Sequence, residues 1–389
     1  MNVLTADETG LLKHVDVEKK SVLSSFGVQS RSQGINHMDW VDPFDETRGI
    51  ICACDDASIK FIRDFELVDA MRVDSISEGC SGIELFENRL FTCSTSGSFQ
   101  VFNFDDSKEH AFGKDIVKEF HVGNGISRMR RSGVSGLFGT GGKDNEMTLW
   151  DVDGKAVFRA KNVPHDFLEM KVPVWVTDFC FFPVDGTRKS LSGGIPELVV
   201  ACTAFSQLRV YDTRAQRRPV KDAKFGSAAG LHENSSSTSS LHMNRVISVS
   251  DHTVVVADAG GMVYGVDIRT MKEVSRYKLF AGSVRSIVKH PTLPYIASVG
   301  LDRHLLVHNI DTKQLLSKVY LKQRLSCVLF SAEEGTHKIT KKRKSKKTDQ
   351  DQIEDLSEDD AVVSDDENEI TEEVTVQIPK VKKKKTKKL

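Results

Sequence analysis

Leu137-Phe138-Gly139-Thr140-Gly141-Gly142-Lys143-Asp144-Asn145-Glu146-Met147-Thr148-Leu149-Trp150-Asp151 is the stretch whose reading decides the fold. An apolar pair leads into small residues, a turn follows, apolar residues alternate, and a bulky residue precedes Asp. Six more copies of the phrase run from Val3 to Val15-Asp16, Ile50 to Arg63-Asp64, Leu90 to Phe102-Asn103, Leu198 to Tyr211-Asp212, Val254 to Val266-Asp267 and Ile296 to His308-Asn309. A period of roughly 40 to 60 residues is that of a propeller blade with loop insertions. Ala53, Ser94, Gly141, Ala201, Ala257 and Ser298 suit strands crowded near a central channel. The alternations Leu208-Arg209-Val210-Tyr211 and Leu305-Leu306-Val307-His308 suit a third strand facing neighbouring blades. Gly260-Gly261 and Gly300-Leu301-Asp302-Arg303 supply hairpin turns.

The pattern predicts an all-β, seven-bladed WD-type β-propeller over residues 1–331, followed by a disordered charged tail over 332–389. The most legible blade reads as strands 283–289, 295–299, 304–310 and 315–321. Another strand-like run, 325–330, follows it, whereas the first copy starts directly at its second strand. The late run is therefore expected to supply the missing inner strand of the first blade, closing the ring and removing its open edges. Only one copy carries Trp-Asp, so the repeats are degenerate. A β-sandwich followed by a second β domain is the competing architecture.

Composition narrows the function classes. No run of about 18 apolar residues exists to span a membrane, and the N-terminus lacks the basic-then-apolar pattern of a secretory signal. Seven cysteines include no C-x-x-C pair, and an odd count without an export signal fits reduced thiols in the cytosol or nucleus. Cys52 and Cys54 share a strand face and read as core rather than metal ligands. Gly139-Thr140-Gly141-Gly142-Lys143-Asp144 fails the spacing of a phosphate loop. Gly133-Val134-Ser135-Gly136 is one residue short of a nucleophile elbow, and the twelve histidines show no H-E-x-x-H arrangement. The expectation is a binding protein without cofactor, metal or catalytic residues.

Two stretches interrupt the repeat, 158–173 and the Ser/Thr-rich 232–240, and long loops on a rigid scaffold are where binding residues gather. The charges that blade geometry does not demand are Arg159, Lys161 and Asn162, together with Arg217 and Arg218. Lys143, Arg285, Arg303 and Lys322 are expected to add to the same positive surface, where arginine can hold phosphate or carboxylate by paired hydrogen bonds. The net charge of −1 conceals segregation. Lys341, Lys342, Arg343, Lys344, Lys346 and Lys347 form one basic run, and Lys382, Lys383, Lys384 and Lys385 open another, with acidic residues between. Such runs read as import signals or RNA-attracting arms. Ser357 and Ser364 precede acidic residues, a context for acidophilic kinases.

Blade geometry does not demand Arg159-Ala160-Lys161-Asn162, within Phe158 to Val163, or Gln216-Arg217-Arg218-Pro219, before Val220, and with them stand Val172-Pro173-Val174-Trp175, Ala281-Gly282-Ser283-Val284-Arg285 and Lys318-Val319-Tyr320-Leu321-Lys322. In them the chain resembles the WD repeat-containing protein 74 family, from about Gly141 to Cys327. The resemblance implies a nucleolar and nuclear assembly factor on the pre-ribosomal large-subunit particle, supporting rRNA processing. It also implies release by a nuclear AAA-type ATPase; outside the particle the protein is expected to be a monomer. The alternative function is a substrate receptor of a cullin-type ubiquitin ligase. It rests on Tyr211-Asp212-Thr213-Arg214 and Val266-Asp267-Ile268-Arg269, which resemble the Trp-Asp-x-Arg element of such receptors but lack its Trp.

Overall fold

Each copy of the repeated phrase becomes the second and third strands of a four-stranded antiparallel sheet, and seven such sheets form. The computed structural model describes residues 1–331 except 43–44, 109, 134, 166, 183–196 and 226–241. The expected tail of 332–389, with its basic runs and its serines, and the Ser/Thr-rich stretch 232–240 lie outside the described residues. The blades, numbered from the N-terminus, have the inner strands Leu325–Phe330, Ile35–Trp40, Cys80–Phe86, Ile126–Arg131, Val176–Phe182, Met243–Ser250 and Val284–Lys289. Each of these strands touches the inner strands of the two blades beside it, and the circuit closes on itself. The molecule is a seven-bladed β-propeller. In blade 7 the observed strands, Val284–Lys289, Tyr295–Gly300, His304–Asn309 and Leu315–Tyr320, match the sequence-based bounds to within a residue.

The core lies between blades. A lone twisted sheet cannot bury its own apolar faces, so stacking neighbours must do it. Seven buried apolar clusters result, one per blade interface. Between blades 2 and 3, for example, Ile51, Ile59 and Phe61 meet Ile83, Leu90, Phe102 and Phe104. The small residues of blade 4 answer to the same packing. A Cβ on Gly139 would stand 2.5 Å from the Phe179 ring, and one on Gly141 would stand 2.8 Å from a Val176 methyl, both on the inner strand of blade 5.

The ring closes through blade 1, whose sheet runs in the order Leu325–Phe330, Asn2–Asp7, Leu12–Asp16, Ser21–Phe26. Val3 lies opposite Phe330 and Ala6 opposite Cys327. Around this seam Trp40 Nε1 donates to the Phe330 carbonyl (2.9 Å). Lys13, buried in blade 1, donates to Asp7 Oδ2 (3.0 Å), the Leu321 carbonyl (2.9 Å) and Gln323 Oε1 (2.6 Å) at the exit of blade 7. Chain start and late strand are thus bound into one sheet.

All seven inner strands begin with a β-bulge after their first residue, at Asn36, Ser81, Ser127, Thr177, Asn244, Arg285 and Ser326. A bulge twists its strand and re-aims the following side chains. Several bulged side chains reach the first inner-strand residue of the next blade: Ser81 Oγ donates to the Ile126 carbonyl (2.7 Å) and Thr177 Oγ1 to that of Met243 (2.6 Å). Small hydroxyl residues recur at this position because they bridge blades. Among the described residues the helical elements are two 3-10 turns, Glu46–Arg48 and Asp74–Ile76, and no helix is long and apolar enough to cross a membrane.

Candidate functional site on the flank of blades 4 and 5

The first interruption starts later than its sequence suggests. Phe158 and Arg159 belong to the outer strand of blade 4, Ala156–Arg159, and the Phe158 side chain is buried. From Ala160 the chain leaves for blade 5, where Lys161 N–H donates to the Arg217 carbonyl (2.8 Å) and Arg217 Nε donates to the Arg159 carbonyl (2.6 Å). The two basic phrases singled out in the sequence therefore meet in space.

Asn162 fixes the geometry. Its amide nitrogen donates to the Val172 carbonyl (2.6 Å), tying together the two ends of the interruption. Its Oδ1 accepts from Val163 N–H (2.8 Å) and from Arg209 Nη1 (3.3 Å). Arg209 is fully buried and has Glu146 at 3.6 Å and Asp222 at 3.8 Å. Burial holds both carboxyls above their ordinary range, although the Arg209 charge pulls the other way. Asn162 is thus a structural latch whose polar atoms are engaged within the chain.

Around this latch opens a cleft of about 590 Å³ lined by Lys161, Asn162, Val163, Pro164, His165, Glu169, Lys171 and Arg218. Among the described residues none of Lys161, Lys171 and Arg218 enters an ion pair. Beside it the held loop exposes Phe167 (92%), Leu168 (61%) and Met170 (58%). Contiguous exposed apolar side chains on a folded surface mark an interaction site. Sequence reading missed Lys171 and the apolar trio. Their signal was present in Phe167-Leu168-Glu169-Met170-Lys171, an apolar phrase in a loop with no strand alternation to explain it.

The remaining predicted residues do not join this surface. Arg159 stacks its guanidinium over the Trp150 ring, 5.3 Å from the centroid. Lys143 lies in the hairpin between the second and third strands of blade 4, its Nζ 5.6 Å from the Trp175 ring centroid. Arg303 and Lys322 are neighbours on blade 7, where the Arg303 carbonyl accepts from Leu321 N–H (2.9 Å). Arg285, on the same blade, occupies the bulge of the inner strand. The single positive surface expected from sequence is two groups, one on the blade 4–5 flank and one on blade 7, with Lys143 apart. Among the described residues no cluster of His, Cys, Asp or Glu is arranged to hold a metal ion.

The arginines behind the ligase-receptor reading fold back on their own strands. Arg214 pairs with Asp212 (Nη2–Oδ2 2.8 Å) and Arg269 with Asp267 (3.0 Å). The relatives found for this chain give that reading no support.

No protein-family model matches the chain. A solved structure of the computationally designed protein Ika8 is similar to it with a TM-score of 0.55 at 14% identity, covering 85% of this chain and 87% of that one; that likeness concerns the fold alone. The chain is similar to ribosome biogenesis protein NSA1 of Meyerozyma guilliermondii, 26% identical over 50% of this chain and 52% of that protein. It is 32% identical to WD repeat-containing protein 74 of Bos taurus over 344 residues, 86% of this chain and 82% of that protein. With that extent of identity over most of both chains, the chain belongs to the WD repeat-containing protein 74 family.

Proposed function

We propose that this protein is a non-catalytic scaffold of ribosome assembly that works in the nucleus and nucleolus on precursors of the large subunit. It docks through the flank of blades 4 and 5 and supports rRNA processing as part of the particle. Family membership and the similarity to a ribosome biogenesis protein support the process. The observation that carries the docking mode is the latched loop. Asn162 holds a segment that presents Phe167, Leu168 and Met170 beside a cleft edged by Lys161, Lys171 and Arg218. An aromatic anchor ringed by cations suits a protein partner with an apolar pocket and an acidic rim. The basic runs around Lys341–Lys347 and Lys382–Lys385 add electrostatic attraction to rRNA, and an AAA-type ATPase supplies release.

Gradient sedimentation of tagged protein from nuclear extract, with probing for rRNA precursors, tests this reading. Wild type is expected to co-migrate with large-subunit precursors. Changing Lys161, Lys171 and Arg218 together to Glu, or Phe167 to Ala, is expected to move it to light fractions. A buried aromatic anchor contributes about 2 kcal/mol or more, which is roughly 30-fold in affinity. Co-migration unaffected by either change would refute the docking surface, and wild type confined to light fractions would refute the function.

A further inference from the structure

The seven bulges place one residue per blade at the same level of the central channel, immediately after the bulge: His37, Gly82, Arg128, Asp178, Arg245, Ser286 and Cys327. Two residues deeper on the same face of blade 4 stands Arg130. It grips Asp178 in a bidentate pair, Nε–Oδ1 2.8 Å and Nη2–Oδ2 2.7 Å. The same carboxylate accepts the backbone N–H groups of Phe179 (3.0 Å) and Val246 (3.1 Å). Asp178 is fully buried and saturated by these four bonds.

Arg128 and Arg245 are left without a carboxylate of their own. Arg245 Nη1 donates to the Asn244 carbonyl (2.9 Å). Arg128 Nη1 donates to His37 Nδ1 (3.2 Å). Because His37 Nε2 faces the Cys80 carbonyl (3.0 Å), it must carry the proton, so the imidazole is neutral and adds no charge. Burial, helped by the arginine charges, holds its pKa well below the ordinary value, in agreement. Arg128 Nε lies 3.4 Å from Asp178 Oδ1 but is buried with no hydrogen bond.

Arg128, Arg130 and Arg245 therefore converge on the single carboxylate of Asp178. Among the described residues, Asp39 and Glu84, on the inner strands of blades 2 and 3, enter no ion pair with these arginines. Burial raises the pKa of both and Glu84 raises that of Asp39 further, while the charges of Arg131 and Arg128 pull both down. Arg131 points away, its guanidinium 4.6 Å from the Phe86 ring centroid. Burial and the charges of Arg130 and Arg245 pull Arg128 down to about 10. Yet Arg128 and Arg130 keep 17% and 24% of their side-chain surface accessible, so solvent in the channel reaches them.

We infer that the propeller channel is a binding site for one compact oxyanion of the phosphate type, held between Arg128 and Arg245 at the level of Asp178. Phosphate offers several acceptor oxygens to two planar forks of donors, the geometry in which arginine exceeds lysine. It also brings negative charge to guanidiniums that share the one carboxylate of Asp178. Arg285 stands exposed at the bulge of blade 7, one residue before Ser286 of the same ring. The site is independent of the flank that docks the scaffold, so either can fail without the other.

Titration calorimetry of the full chain with inorganic phosphate at neutral pH and physiological ionic strength tests the site. One phosphate per chain is expected. Affinity should fall about tenfold or more when either Arg128 or Arg245 becomes Met, since hydrogen bonds to charged groups are lost, and saturable binding should vanish in the double variant. Arg276→Met, which removes an ion pair with Glu273 on the outer strand of blade 6, should bind as wild type does. If the Met variants fail to fold, Arg128→Lys with Arg245→Lys keeps the charge but loses the forks and should still weaken binding. No saturable binding by wild type, unchanged affinity in the arginine variants, or acetate binding as tightly as phosphate would each overturn the inference.

Discussion

Asp178→Asn isolates what the buried carboxylate contributes to the ring, because the amide keeps its shape and removes its charge. The wild-type side chain joins three blades: Arg130 from blade 4, its own strand in blade 5 and the Val246 amide of blade 6. Removing one partner of a buried ion pair costs about 3–5 kcal/mol. Arg130 is 24% exposed to the channel, so water softens its loss, and the lower end, about 3 kcal/mol, applies. With a urea m-value of about 3 kcal/mol/M, the unfolding midpoint should drop by about 1 M at neutral pH. The acid limb gives the sign. Burial tends to raise the Asp178 pKa, but the charges of Arg130 and Arg128 and the Arg130 hydrogen bonds outweigh it and leave it below the usual value. A depressed folded pKa stabilises above the unfolded value, near pH ~4, and that stability is lost as pH falls through the folded value. The gap between wild type and variant should therefore hold from neutral pH down to about 4 and narrow below it. A midpoint drop under a third of that size, or a gap that ignores acid pH, would refute the reasoning.

Gly141→Ala should cost about 1–3 kcal/mol, because the new methyl meets the β-branched Val176 beside the backbone; Gly133→Ala, with nothing within 4 Å, should leave the melt unchanged. A chain ending at Arg324 lacks the closing strand and leaves the edge of Asn2–Asp7 unpaired, so size-exclusion chromatography should show aggregation, whereas one ending at Ser331 should elute as a monomer. Thiol labelling offers a third check. Burial pushes Cys80 and Cys202 up to about 12, and the other described thiols rise for the same reason. The native protein near pH ~8 should resist a disulfide reagent that titrates all seven cysteines once it is unfolded; rapid labelling of several native thiols would contradict the packing.

The fold was legible because a propeller writes its geometry once per blade. Second and third strands carry both the packing demand on small residues and the turn, so the repeated phrase exposed all seven. The inner strands were less visible. Six of the seven carry a hydroxyl or amide residue at the bulge, as at Ser81 and Thr177, and that chemistry looks like ordinary surface until the register is known. Channel arginines were hidden for the same reason. In Ser127-Arg128-Met129-Arg130-Arg131 the alternation is around a buried Met129, and nothing local says that Arg128 and Arg130 turn towards Asp178, some 50 residues away. The flank was half legible. Arg159–Asn162 and Arg217–Arg218 stood out as phrases that strands do not need, and the chain does bring them together. Their individual roles required the hydrogen bonds.

Those bonds change which variants can test the docking surface. Replacing Arg159, Lys161 and Asn162 by Ala is the change that the sequence alone suggests, but it joins three different effects. Arg159 lies on Trp150, so its loss removes packing from the outer strand of blade 4. Asn162→Ala frees the Val172 carbonyl and takes one partner from the fully buried Arg209. A half-satisfied buried polar network is costly, so the loop would loosen and take Phe167 with it. Lost co-sedimentation in that triple variant would follow equally from a broken partner contact and from a melted loop. The side chains of Lys161, Lys171 and Arg218 form no ion pair among the described residues, Lys171 reaching the buried network only through its charge on Glu146, and the Phe167 side chain is almost wholly in solvent. Changing them should leave the melting curve in place while dissociating the particle. If instead Asn162→Ala lowers the melting temperature and also abolishes co-sedimentation, while the Lys161, Lys171, Arg218 variant does neither, the latch matters only to the fold and the partner sits elsewhere on the ring.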